Sequence, residues 1–113
     1  MKIKIVSLSN NEDFKSILKG KKINNKYFTI FFKKLINKNN NFLNISFVAK
    51  RKLGNSVKRN KIRRRLKNIM HDAINKISIN FNYSYLIIAK NTVLKDEYSN
   101  IKKITFSNFE GIK

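Results

Sequence analysis

Hydrophobic and polar positions follow two rhythms along this 113-residue chain, and each rhythm marks its elements. From Ile62 the apolar residues fall at 62, 66, 69, 70, 73, 74 and 77, a single stripe at helical period. The stripe predicts a helix over about 57–78, entered through the break Leu53-Gly54-Asn55 and capped by Asn55 or Ser56. A shorter helix is expected over about 11–19. Ser9-Asn-Asn-Glu12 has capping-box spacing, and Glu12 and Asp13 suit the positive end of a helix dipole. Phe14, Ile17 and Leu18 then follow at i, i+3 and i+4, and Gly20 stands where a terminating glycine belongs. Asp96-Glu97 opens a last helix to about Asn108, with Tyr98, Ile101 and Thr105 or Phe106 turned inward.

The second rhythm has period two. Residues 26–34 are β-branched and aromatic and read as a strand, with Phe28, Ile30 and Phe32 on one face and Tyr27, Thr29 and Phe31 on the other. Both faces are apolar, so both should be covered. Residues 35–42 read as a turn or loop. A second strand over 42–52, antiparallel to the first across that loop, puts Ile45, Phe47 and Ala49 opposite Ser46, Val48 and Lys50. Residues 83–90 form a buried strand, and a short extra one fits near Lys21–Ile23. The order α-β-β-α-β-α, with that optional strand, suits a small single-domain α+β sandwich of one sheet and three helices. No repeat, proline or Gly/Ser-rich linker divides residues 1–113, and the core spans about 10–108.

Composition sharpens this picture. Lys plus Arg number 26 and Asp plus Glu 6, giving a net charge of +20. Such a charge opposes compaction unless a polyanion neutralises it. Apolar residues at 42% and aromatics at 12% still supply a small core, which argues against disorder. The absence of Cys excludes disulfides, thiolate zinc sites and a cysteine nucleophile, and fits a reducing cytoplasm. No apolar run approaches the ~20 residues of a membrane span, and the first residues lack a signal peptide's apolar stretch. Lys, Asn and Ile together make up 56 of the 113 residues, the bias of an A/T-rich genome, so part of the lysine charge is drift. Arginine is different: all five lie between Arg51 and Arg65, where the planar guanidinium fork suits phosphate.

The window 50–67, KRKLGNSVKRNKIRRRLK, holds ten basic residues and no acid. At about 100° per residue, Arg59, Arg63 and Lys67 form one row beside the apolar stripe. Asn60 and Arg64 form the next row, and Lys61, Arg65 and Asn68 continue round the back. Cations packed this closely repel unless anions lie between them. The helix start adds free N–H groups and partial positive charge. An acidic membrane, DNA and RNA are the candidate partners. The stripe is Ile, Leu, Met and Ala rather than an interfacial Trp/Phe face, and neither a helix-turn-helix nor a zipper is visible. RNA remains, with aromatics nearby to stack on single-stranded bases.

The stretch Gly54-Asn-Ser-Val57-x-Arg59-Asn60-Lys61-Ile-Arg63-Arg64 resembles the RNR motif of the bacterial ribonuclease P protein component. The similarity runs on through Asn11–Phe14, Tyr27–Phe32, Ile45–Lys52 and Ser84–Lys90, in order and spacing over about 10–108. Where the family carries Arg, this chain has Lys61, Lys67 and Lys90. Ser56, Asn68, Ser84, Asn44 and Ser46 stand for Ala, Glu, Asp, Arg and Gly respectively. The resemblance implies a protein cofactor to a catalytic RNA that removes the 5′ leader from precursor tRNA. In that family RNA and its Mg2+ do the chemistry, no cofactor is assigned to the protein, and one protein serves each RNA. It also implies one mixed sheet with a left-handed βαβ crossover, as in a ribosomal protein domain.

On this basis the expected leader cleft comprises Phe14, Leu18, Thr29, Phe31, Val48, Arg59, Arg63 and Lys67. Expected contacts to the RNA subunit are Arg51, Lys52, Lys58, Asn60, Lys61, Arg64 and Arg65. No catalytic or metal site is expected. His71 is the single histidine and reads as solvated or phosphate-touching, and the acids at 12, 13, 72, 96, 97 and 110 are scattered. The alternative is a basic structural RNA-binding protein such as a ribosomal protein; a stand-alone metal-dependent nuclease lacks the carboxylate cluster it would need.

Overall fold

The structure is a computed structural model that describes residues 4–36 and 38–113. Met1–Ile3, and Asn37 of the expected 35–42 loop, lie outside the described residues. Five strands, β1 (Ile5–Val6), β2 (Lys21–Asn24), β3 (Phe28–Lys33), β4 (Leu43–Val48) and β5 (Ser84–Ala89), form one mixed sheet in the order β1-β4-β5-β3-β2. Three helices pack on it: α1 (Asn11–Leu18), α2 (Ser56–Lys76) and α3 (Tyr98–Glu110). Single turns of 3-10 helix at Arg51–Leu53 and Asn91–Leu94 follow β4 and β5.

The alternation within the strands sorts the layers. Phe28, Ile30 and Phe32 of β3, Ile45 of β4, and Tyr85 and Ile87 of β5 are buried against Ile62, Leu66, Ile69, Met70 and Ala73 of α2 and Ile101 and Phe109 of α3. Aromatic edges knit this core: the Tyr85 and Phe109 rings meet edge-on at 5.1 Å. On the opposite face α1 is the only helix among the described residues. Ile17, Leu8 and Leu86 form a small second cluster joined by Phe14, Phe31, Leu35, Val48 and Ile88. Each face of the sheet therefore has an apolar cover, but eight residues of α1 leave much of theirs open.

Several local expectations change. The 26–34 and 42–52 strands do run antiparallel but are not neighbours. β5 lies between them, antiparallel to β3 and parallel to β4, and β4-α2-β5 is a crossover between adjacent parallel strands. A strand that buries side chains on both faces favours the centre of a sheet over its edge, and Ser84–Ala89 is such a strand. β1 is an addition at the edge, pairing Ile5 with Leu43 and Val6 with Asn44. The optional strand exists as β2, paired with β3. The cap of α1 is Asn10 rather than Ser9, its side chain accepting from the Glu12 N–H at 2.8 Å. On α3, Thr105 is buried and Phe106 only partly, and the helix extends past Asn108 to bury Phe109.

Candidate nucleic-acid interface

The basic window is split by Gly54. Lys50 leads into the turn at Arg51–Leu53, Gly54 takes φ +139°, and Asn55 starts α2. That φ is open to glycine and strained for any L side chain. Asn55 caps the helix by accepting from the Lys58 N–H at 2.9 Å. The glycine thus turns the chain sharply between two cationic segments. Lys58, Asn60, Lys61, Arg64 and Lys67 are exposed, as are Arg51 and Lys52 before the turn. Arg59 and Arg63 are half-buried; Arg63 donates to the Asn60 side chain, which restrains its guanidinium. The Nε of Arg59 is buried with no hydrogen-bond partner among the described residues.

Two grooves flank this helix start. The first, about 570 Å³, lies between α1, the free end of β4 and α2. Phe14 and Val48 give it an apolar floor, Arg63, Arg64 and Lys67 a cationic wall, and Ser7, Leu8, Ser46 and Phe47 its far side. β1 pairs with β4 only as far as Asn44. Beyond that point the Leu8 N–H donates to the Ser46 hydroxyl at 2.8 Å, a side-chain bond that holds the N-terminal segment beside β4 as one side of the groove. The second groove, about 530 Å³, lies at the end of β4 and β5 and the start of β3. Lys50, Lys52 and Lys90 surround Thr29, Leu53, Ile88, Ala89 and Asn91 there. Lys90 is anchored: its ammonium donates to the Asn24 side chain at 2.7 Å and to the Asn25 carbonyl.

The fold distributes the residues expected for the leader cleft. Phe14, Val48, Arg63 and Lys67 come together in the first groove, joined by Arg64, which sequence reasoning grouped with the RNA-subunit contacts. Thr29 lines the second groove with Lys52. Phe31 is half-buried beneath α1, and Leu18 is 46% exposed; neither is among the groove-lining residues. Arg65 is half-buried and engaged within the protein. Sequence reasoning missed Ser7, Leu8, Ser46 and Phe47 in one groove and Lys50, Ile88, Lys90 and Asn91 in the other. Lys50 had a signal as the first residue of the basic window; Lys90 had one as the basic residue ending the last strand.

Three of the six acids are engaged elsewhere. Asp13 pairs with Lys38 at 2.6 Å, Asp72 with Lys102 at 2.9 Å, and Asp96 with Lys26 at 3.6 Å. Hydrogen bonding from Lys102 holds the Asp72 carboxyl below the usual range, and the same contact raises Lys102. His71 is exposed. Among the described residues no three His, Asp or Glu side chains gather as metal ligands, and no helix is long and apolar enough to cross a membrane.

Comparison with known proteins adds the family. The family model described as Ribonuclease P matches residues 4–111. The chain belongs to the ribonuclease P protein family. Among curated ribonuclease P protein components, that of Mycoplasma mycoides subsp. mycoides SC is 31% identical over 107 residues, 94% of each chain. That of Carboxydothermus hydrogenoformans is 33% identical over 96 residues, 81% of this chain and 78% of its own. The fold matches the ribonuclease P protein of Thermotoga maritima with a TM-score of 0.78 at 21% identity, covering 96% of this chain and 98% of that one. The Staphylococcus aureus ribonuclease P protein matches at a TM-score of 0.73 and 20% identity, covering 93% and 97%. The chain is therefore a protein component of ribonuclease P, a tRNA-processing enzyme, and shares the small α/β fold of these proteins with its single five-stranded sheet and three helices. Its partner in that enzyme is the ribonuclease P RNA.

Proposed function

We propose that this chain is a non-catalytic, single-domain RNA-binding subunit. It docks on the catalytic RNA through the exposed cations Arg51, Lys52, Lys58, Lys61 and Arg64, with Asn60 between them. It holds the single-stranded 5′ leader of precursor tRNA in the groove of Phe14, Val48, Arg63 and Lys67. The observation that carries this reading is that groove: an apolar floor for bases beside a guanidinium and ammonium wall for phosphates. Arg59, one turn before Arg63 on α2, keeps a buried Nε with no hydrogen-bond partner among the described residues. Hydrolysis falls to the RNA and its Mg2+, one protein serves each RNA, and the complex works in the cytoplasm.

Reconstitution tests it. The purified chain alone should leave precursor tRNA intact, and with the RNA subunit it should restore endonucleolytic leader removal at low Mg2+. Charge reversal at Arg63 should weaken binding of precursor tRNA but not of leaderless tRNA. Stimulation absent at every salt concentration, or cleavage by the protein unaided, would overturn the proposal.

A further inference from the structure

Arg65 belongs to the run Arg63-Arg64-Arg65, and its charge alone would assign it to RNA. Its surroundings differ from those of Arg64. Nη1 donates to the Val93 carbonyl at 2.9 Å, and the guanidinium carbon sits 5.8 Å from the centre of the Tyr98 ring. Val93 is fully buried in the short turn Asn91–Leu94, and Tyr98 is the first residue of α3. The turn begins immediately after Lys90, and Lys90 and Asn91 form one wall of the second groove opposite Lys50 and Lys52. Thr92 ties the same turn to the β2–β3 connection by donating to the Lys26 carbonyl at 2.7 Å.

We infer that Arg65 is a positioning residue: it bolts the Asn91–Leu94 turn to α2, sets the width of the groove between Lys50–Lys52 and Lys90–Asn91, and makes no phosphate contact of its own. The groove's use for RNA rests on the function proposed above; the bolt does not. A planar fork that bonds a carbonyl while lying over an aromatic ring is a role Lys fills poorly, so charge and geometry can be separated.

The test compares Arg65→Lys and Arg65→Met with Arg64→Met. In the free protein, amide hydrogen exchange over residues 91–95 should accelerate in both Arg65 variants and not in Arg64→Met. Binding of the ribonuclease P RNA to each variant is then measured against salt, well below the melting midpoint, where every variant is folded. Arg64→Met should flatten the log affinity–log salt slope by roughly 0.7–0.9, one phosphate. Both Arg65 variants should weaken binding about three- to ten-fold with the slope unchanged, the size of coupling between residues in contact. That loss should shrink when Lys52→Met is already present. A purely stabilising role predicts wild-type affinity at this temperature, and a phosphate contact predicts a flattened slope with full rescue by Lys; either result overturns the inference. If exchange accelerates but Arg64→Met leaves the slope unchanged, the RNA reading fails and the bolt stands.

Discussion

Asp96 shows how a single side chain can hold two elements in a protein short of acids. Its carboxylate accepts from the Tyr27 hydroxyl, the Asn100 side-chain amide and the Glu97 N–H, with Lys26 nearby. These contacts, the Tyr27 bond first, hold its pKa well below the usual carboxylate range, and the same bond raises that of Tyr27. A depressed folded pKa adds stability that is complete above the unfolded value, about 3.9, and is lost as the pH falls through the folded one. Asp96→Asn should therefore lower the melting temperature at neutral pH, and the gap to the parent should close below pH ~4. Thermal melts from pH 7 to 2 check this; a gap constant with pH would refute it. On the alkaline side the sign reverses: the raised Tyr27 contribution is present below about pH 10 and disappears as the phenol ionises.

At the scale of the element, α2 carries both the core and the interface. Its stripe buries Ile62, Leu66, Ile69, Met70 and Ala73 completely or nearly so, while its first turns hold the cations. Like charges at the positive end of a helix dipole oppose helix formation, and no acid sits in the first turn to offset them. The Asn55 cap matters more in that setting. Asn55→Ala should cost about 1 kcal/mol, read as a lower urea midpoint at unchanged m-value. The helices and β3 were legible because each announces itself within a dozen residues. The place of β5 between β3 and β4 was not, because pairing of Ser84–Ala89 with Phe28–Lys33 and Leu43–Val48 is a long-range choice that no local pattern encodes. β1 was missed because two residues make no rhythm, and Asn10 displaced Ser9 as a cap by the local course of the chain.

For the whole molecule the dominant quantity is charge. A net +20 on 113 residues, with three of the six acids already in ion pairs, leaves a surplus that suits an external polyanion. If the interface neutralises about four to six phosphates, log affinity for RNA should fall with log salt at roughly 0.7–0.9 per phosphate. A titration from low to moderate salt measures it, and a flat profile would show that the cations do not meet the backbone of RNA. The basic window was legible as an interface because ten cations in eighteen residues have few other uses. Its division into two grooves was not, since that depends on where β4 loses its β1 partner and where the turn after β5 places Lys90.

The strand order also dictates when this protein can fold during its synthesis. β3 and β4 are joined only through Ser84–Ala89, so at the ribosome the polycationic helix emerges while the sheet meant to support it is still two separate pieces. The nascent chain therefore presents its strongest RNA-binding segment before it has a core, in a cell crowded with nucleic acid.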